Sequence, residues 1–246
     1  MNKIKNIYIS YWFNELEENP SNKVFELEDE VKSVINEPIM YNEDKSHTNL
    51  LIPRIQGISK DKKYLFTMSM INAVLSININ EDIDNDEAIM LINSNIQLFY
   101  DIIKRVYDVK IVYSSIKVEM IDENKKAKDK LIDTLKLSND NYENLTFKKG
   151  FIKDDYYINY ILEYSTEYNF NFDTKEKLSE EDLFNKSMIT SISEASLGRE
   201  YLLTVIEIND RYSYNQDKNY ESKKDSLRGM ILEMKEILNK ELYNKI

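Results

Sequence analysis

A chain of 246 residues with one histidine, no cysteine and four glycines is poor in the groups that usually do acid–base work near neutral pH, hold soft metals or cradle phosphates. Its net charge of −11 and pI near 4.8 disfavour nucleic acid, because Lys and Arg contacts to phosphate supply most of that affinity, and point to a cationic protein segment as the charged partner. The ordinary apolar fraction of 42% excludes the disordered class, and a chain this long buries enough surface, roughly 70 to 75%, to need no disulfide or metal staple.

No stretch approaches the roughly 20 consecutive apolar residues needed to span a bilayer, and no apolar run of signal-peptide length follows Met1 to Ile7. The expectation is a cytoplasmic protein with no membrane partner. The five arginines are scattered (Arg54, Arg105, Arg199, Arg211, Arg228), and prolines occur only at 20, 38 and 53, so the later three quarters can run as long elements.

In chain order, the first strand is expected at Ile4 to Phe13. It ends in Tyr11-Trp12-Phe13, which holds the only tryptophan and reads as a core anchor, although aromatics also dominate interfaces. A helix follows at Lys23 to Asn36 with Val24, Leu27, Val31 and Val34 on one side. His47 falls in the polar stretch Asp44 to Asn49 and reads as a solvent-exposed loop residue rather than a base, since no third group is indicated. Strands are expected at Leu50 to Ile58, Tyr64 to Met70 and Ala73 to Ile79, with Met68 and Met70, like Met230 and Met234, read as core fillers.

The acidic run Glu81 to Glu87 alternates carboxylates as the start of a calcium loop does. Glu87 stands where that loop needs glycine and Asn93 where it needs a closing Glu, so the run reads as negative charge at a helix N-terminus. The helix it opens is expected at Asp84 to Tyr107, with Asp84 and Glu87 in capping-box positions and a stripe of Ile89, Ile92, Ile96, Phe99, Ile103 and Val106. A strand at Val109 to Ile121 follows. Asp108-Val109-Lys110 carries a fragment of a metal-nuclease pattern and Lys117-Val118-Glu119 its reverse, while an aspartate ending a helix is the plainer account.

Asn124 to Leu137 reads as a short helix with Ala127, Leu131 and Leu135 inward; its lysines, interrupted by Asp129 and Asp133, form a solvated face. Strands are expected at Phe147 to Ile152, Tyr156 to Phe170, Met188 to Ser193 and Glu200 to Tyr212. The second of these alternates apolar and polar residues over its length, the mark of an antiparallel sheet with one wet face. The last helix is expected at Gln216 to Asn244, with Leu227, Ile231, Met234, Leu238 and Leu242 on one face.

The fold class is therefore α+β: antiparallel sheets of long strands with two long amphipathic helices packed against them, organised as halves 1–108 and 109–246 that can share one compact domain. This order, with paired strands over Tyr64 to Ile79, a helix at 84–107, a strand at Val109 to Ile121 and sheet from 156 to 212 before a closing helix, resembles the SecB-like proteins and their double-length bacterial relatives. The resemblance covers most of the chain and rests on arrangement, with no diagnostic motif. It implies recognition of another protein segment on an apolar groove or sheet surface.

The functional expectation is a non-catalytic protein-binding module, chaperone-like or partner-specific, with a basic protein or peptide as partner and self-association compatible with it. No cofactor, metal or catalytic residue is assigned. One alternative is a metal-dependent hydrolase or nuclease built on carboxylates, with Asp108, Lys110 and Glu119 as its residues; another is a structural or host-interaction component of a mobile element.

Overall fold

The computed structural model describes residues 3–42, 49–123, 127–135, 145–170 and 195–239. Nine antiparallel strands form one sheet: β1 (Lys3–Phe13), β2 (Met40–Tyr41), β3 (Ile55–Ile58), β4 (Tyr64–Met68), β5 (Asn72–Asn78), β6 (Ile111–Asp122), β7 (Leu145–Lys153), β8 (Tyr156–Phe170) and β9 (Ala195–Asn209). Their spatial order is β2-β3-β4-β5-β1-β6-β9-β8-β7. The α-helices among the described residues are α1 (Val24–Val31), α2 (Asn85–Tyr107), α3 (Ala127–Leu135), α4 (Arg211–Gln216) and α5 (Lys224–Asn239). The fold class is mixed α+β, with one continuous sheet where several had been expected.

That sheet has an internal symmetry of connection. The first half runs β1, α1, the meander β3-β4-β5 and then α2; the second runs β6, α3, the strands β7, β8 and β9, and then α5. In each half the last strand of the three returns to pair with the first, and β1 joins β6 in antiparallel register, Ile9 opposite Ile116 and Ser10 opposite Ser115. Every neighbouring pair is antiparallel, so short turns and returning strands suffice.

Strand parity builds the core. Along β1, Ile7, Ile9, Tyr11 and Phe13 are buried while Tyr8, Ser10 and Trp12 are only half-buried. The same parity gives Ala73, Leu75 and Ile77 on β5, Ile116, Val118 and Met120 on β6, Ile206 and Ile208 on β9, and Ile158, Tyr160, Leu162 and Tyr164 on β8. Those side chains meet one set of helix faces. Val24, Leu27 and Val31 come from α1; Ile92, Ile96, Phe99 and Ile103 from α2; Leu227, Met230, Met234 and Leu238 from α5. Leu131 of α3 packs with Leu162, Tyr164 and Leu202 in a smaller cluster. Tryptophan is the exception within Tyr11-Trp12-Phe13: its neighbours are core, and it lies on the opposite face. Met68, Met70, Met230 and Met234 are all buried.

The long helix α2 is fixed by its ends. Asp84 accepts from the Glu87 backbone N–H at 2.8 Å and the Glu87 carboxylate accepts from the Asp84 N–H at 3.1 Å, a complete capping box. Asp108 closes it in the left-handed conformation, φ 50°, its N–H reaching the Lys104 carbonyl. Two glycines permit close approach. A Cβ at Gly57 would lie 2.7 Å from Ile35, and one at Gly229 would lie 2.1 Å from the Tyr156 hydroxyl.

Four expected elements differ. The helix expected over Lys23 to Asn36 ends at Val31, and residues 32–34 form a turn. The strand expected from Leu50 starts at Ile55, because Pro53 cannot donate to a ladder and the chain bends through 50–54, leaving Leu51 and Ile52 exposed. The strand expected over Glu200 to Tyr212 begins earlier, at Ala195, and ends at Asn209 where α4 starts. The last helix begins at Lys224 rather than Gln216, since Tyr220 and Ser222 are drawn into hydrogen bonds with the buried Asp210, and the Ser222 N–H reaches the Ile111 carbonyl. His47, the strand expected at Met188 to Ser193 and the chain beyond Asn239 lie outside the described residues.

Candidate functional site

Among the described residues, the four helices that contribute to the core lie on one face of the sheet, and the alternate strand residues lie on a second face, against which α4 packs. Across its middle this second face carries Asn72, Val74 and Ser76 from β5, Asn6, Tyr8, Ser10 and Trp12 from β1, Tyr113, Ser115, Lys117 and Glu119 from β6, Val205, Glu207 and Asn209 from β9, and Tyr157, Asn159 and Ile161 from β8, with Ser115, Val205 and Asn209 buried among them. An ordinary solvated sheet face is rich in Lys, Glu and Thr. This one is rich in Tyr, Trp, Ser and Asn, the mixture that supplies rigid amphipathic contact area and adaptable hydrogen bonds in binding surfaces.

The aromatics are organised. Trp12 stacks on Tyr113 across the β1–β6 pair, ring centroids 5.4 Å apart and planes 16° from parallel. Tyr214 of α4 lies 6.0 Å from Tyr113, and the Arg211 guanidinium sits 5.5 Å from the same ring. Tyr212 meets Tyr157 edge-on at 5.5 Å. Such pairs contribute about 0.5 to 1.5 kcal/mol each beyond simple burial. Burial raises the Tyr113 hydroxyl above its ordinary pKa, with the Arg211 charge working against that rise and Glu207 and Asp210 adding to it.

The charges on the middle of this face are satisfied by one another. Glu119 accepts from Lys117 at 2.8 Å, Asn6 at 2.9 Å and Tyr8 at 3.1 Å, while the Lys117 ammonium also lies 3.9 Å from the Tyr8 ring centroid. Partial burial opposes ionisation of Glu119, but the hydrogen bonds from Lys117 and Asn6 outweigh it and hold the carboxyl below its ordinary range. Burial, with the adjacent Glu119 charge, pushes Tyr8 up to about 12. Glu207 accepts from Asn159 and Asn209.

A cleft of about 490 Å³ lies between the 14–20 loop, Lys23 and residues 107–110. Asp108 and Lys110 line it. Glu119 stands eight residues beyond Ile111 on the same strand, roughly 26 Å along an extended chain, inside the hydrogen-bonded cluster with Lys117 and Tyr8. The three residues of the hydrolase alternative are thus not brought into one site. Lys110 is engaged with the Asn219 carbonyl and Lys23 with that of Val106 at 2.8 Å. Among the described residues no group of three or more His, Asp or Glu side chains is placed to share a metal ion.

No residue was named for binding from the sequence, yet the open-face set was encoded in it. The signal is the alternate half of β1, Asn6-Tyr8-Ser10-Trp12, whose polar members are neither Lys nor Glu. No protein-family model matches the chain, and no curated protein is similar enough in sequence to count as a relative.

Proposed function

We propose that this is a protein-recognition module that binds an extended, basic segment of another protein on the sheet face opposite the core helices. The observation that carries the reading is the Tyr, Trp, Ser and Asn composition of a broad face that the core helices leave bare. Interfaces concentrate Trp, Tyr and Arg at their centres and are depleted in Lys and Glu. Trp12 stacked on Tyr113 forms such a centre, and Tyr214 and Arg211 of α4 pack against it. The formal charge of −11 favours encounter with a basic partner. A SecB-like ancestry and a bacterial, cytoplasmic setting belong to the same proposal; no described helix is long and apolar enough to cross a membrane.

The test compares variants of the two surfaces in capture from the native host. Trp12→Ala and Tyr113→Ala are expected to lose the partner about tenfold or more, whereas Met90→Ala and Leu232→Ala, exposed on the helix layer at 69% and 66%, keep it. The single tryptophan then reports directly, and its emission should shift as peptides of the captured protein are titrated in. Loss confined to the helix-layer variants would overturn the proposal. So would capture, through the open face, of a second copy of the chain alone.

A further inference from the structure

The segment between the end of β9 and the start of α5 is held at both ends and loosely in the middle. At its start Asp210 is fully buried, its carboxylate accepting from the Ser114 N–H at 2.7 Å and from the hydroxyls of Ser222 at 2.6 Å, Ser226 at 2.7 Å and Tyr220 at 2.9 Å. At its far end Ser222 is buried too, its N–H on the Ile111 carbonyl and its own carbonyl accepting from Tyr100. Between them α4 has no buried residue and no side-chain cap. A helix of six residues is far below the length that stands alone in water.

What holds α4 down is mainly the aromatic surface itself. Arg211 lies over Tyr113, Tyr214 tilts against Tyr113, and Tyr212 meets Tyr157. The Ser213 hydroxyl donates to the Asp155 carbonyl at 3.4 Å, a long bond, and Lys110 reaches the Asn219 carbonyl further on. The surface proposed above as a recognition site is therefore already occupied, and its occupant is an arginine flanked by tyrosines.

Resting on that reading, we propose that α4 is a displaceable strap: Arg211 and Tyr214 occupy the aromatic surface in the unbound protein, and the partner enters with an arginine-bearing, aromatic-containing stretch that takes their place. The chemistry is one of exchange. A guanidinium on Tyr113 and a ring beside it are replaced by groups of the same kind, so opening forfeits contacts that binding restores. The anchors at Asp210 and Ser222 keep the strap tethered, so that opening leaves β9 and α5 in place.

The cysteine-free chain lends itself to a test by one engineered disulfide, Asp155→Cys with Ser213→Cys, at the point where the Ser213 hydroxyl meets the Asp155 carbonyl. The probe is a labelled peptide alternating arginine and tyrosine, with its glutamate-for-arginine counterpart as control. The reduced double variant should bind the arginine peptide as the parent chain does, the oxidised form about tenfold more weakly, and Arg211→Ala several-fold more tightly. Unchanged affinity on oxidation, with binding still abolished by Trp12→Ala, would sink the strap and leave the recognition face standing. Failure of the parent chain to bind the arginine peptide would overturn the assigned partner chemistry. Hydrogen exchange decides the motion without any ligand: amides of 212–217 should exchange as a unit well ahead of β9 and α5, and exchange only together with those elements would refute an independent strap.

Discussion

The two faces of the sheet are written on the same strands and do opposite things. On β1 the odd positions Ile7, Ile9, Tyr11 and Phe13 are at most 4% exposed and meet helices, while Asn6, Tyr8, Ser10 and Trp12 point away from them and meet cross-strand neighbours. The covered face gains its free energy from apolar area removed from water and needs the helices to do so. The open face has its polar groups satisfied laterally, as with Glu119, and leaves aromatic area half-exposed. Folding and recognition are thereby separated by residue parity, and substitutions on the two sets should have different phenotypes.

The largest effect should come from the covered face. Phe99 of α2 is fully buried with its ring 5.5 Å from that of Phe66 on β4, and Phe99→Ala is expected to cost about 3 to 5 kcal/mol. Denaturant unfolding measures it, and partner capture by the molecules that remain folded should be unchanged. The separation fails if Phe99→Ala costs no more than Trp12→Ala. Asp210→Ala should rank next, at about 3 kcal/mol, because it strands a backbone N–H and three hydroxyls that now converge on one buried carboxylate. It sharpens the comparison because Asp210 belongs to the covered side while Asn209, one residue earlier, lies on the other face beside Glu207. Its loss should loosen both the start of α5 and the strap.

Periodicity made most of the architecture legible. Helix α2 matched its expected bounds because Asp84 and Glu87 form a purely local cap, and alternation along Tyr156 to Tyr164 gave the two-faced character of β8. Where long-range contacts decide, local reading failed. The 217–223 stretch reads as helix, but Asp210 and the Ile111 carbonyl hold Tyr220 and Ser222 in a non-helical path. Trp12 read as core because aromatic residues on either side of it are core, although its parity with Tyr8 and Ser10 puts it on the open face, where it stacks on Tyr113. The pairing of Asp108 with Lys110 in one cleft followed from their adjacency in sequence, whereas the strand length separating them from Glu119 becomes decisive only once β6 is known to run unbroken from Ile111 to Asp122.

The smallest predicted effect distinguishes the faces by pH. Glu119 has its carboxyl held below the ordinary range by Lys117, Asn6 and Tyr8, against the opposing effect of burial. A depressed folded-state pKa means the charged carboxylate is stabilised in the native protein. Its contribution is therefore present in full above the unfolded value of about 4.3 and fades as pH falls through the lower folded value. The Lys117–Glu119 pair is partly exposed, at 36% and 17%, so its share should be under about 1 kcal/mol and should shrink further in salt. Glu119→Gln should accordingly lower the unfolding free energy slightly at neutral pH and converge on the parent chain in acid. Phe99→Ala, with no titrating group at its site, should keep the same deficit throughout. Tyr8, raised to about 12, works at the other end: its neutral hydroxyl supports the same cluster up to about pH 10, and that support is lost as the pH climbs through 12. A Glu119→Gln deficit that persists in acid would mean that the carboxylate acts through shape rather than charge, and the open face would then be packed like the covered one rather than held by its lateral hydrogen bonds.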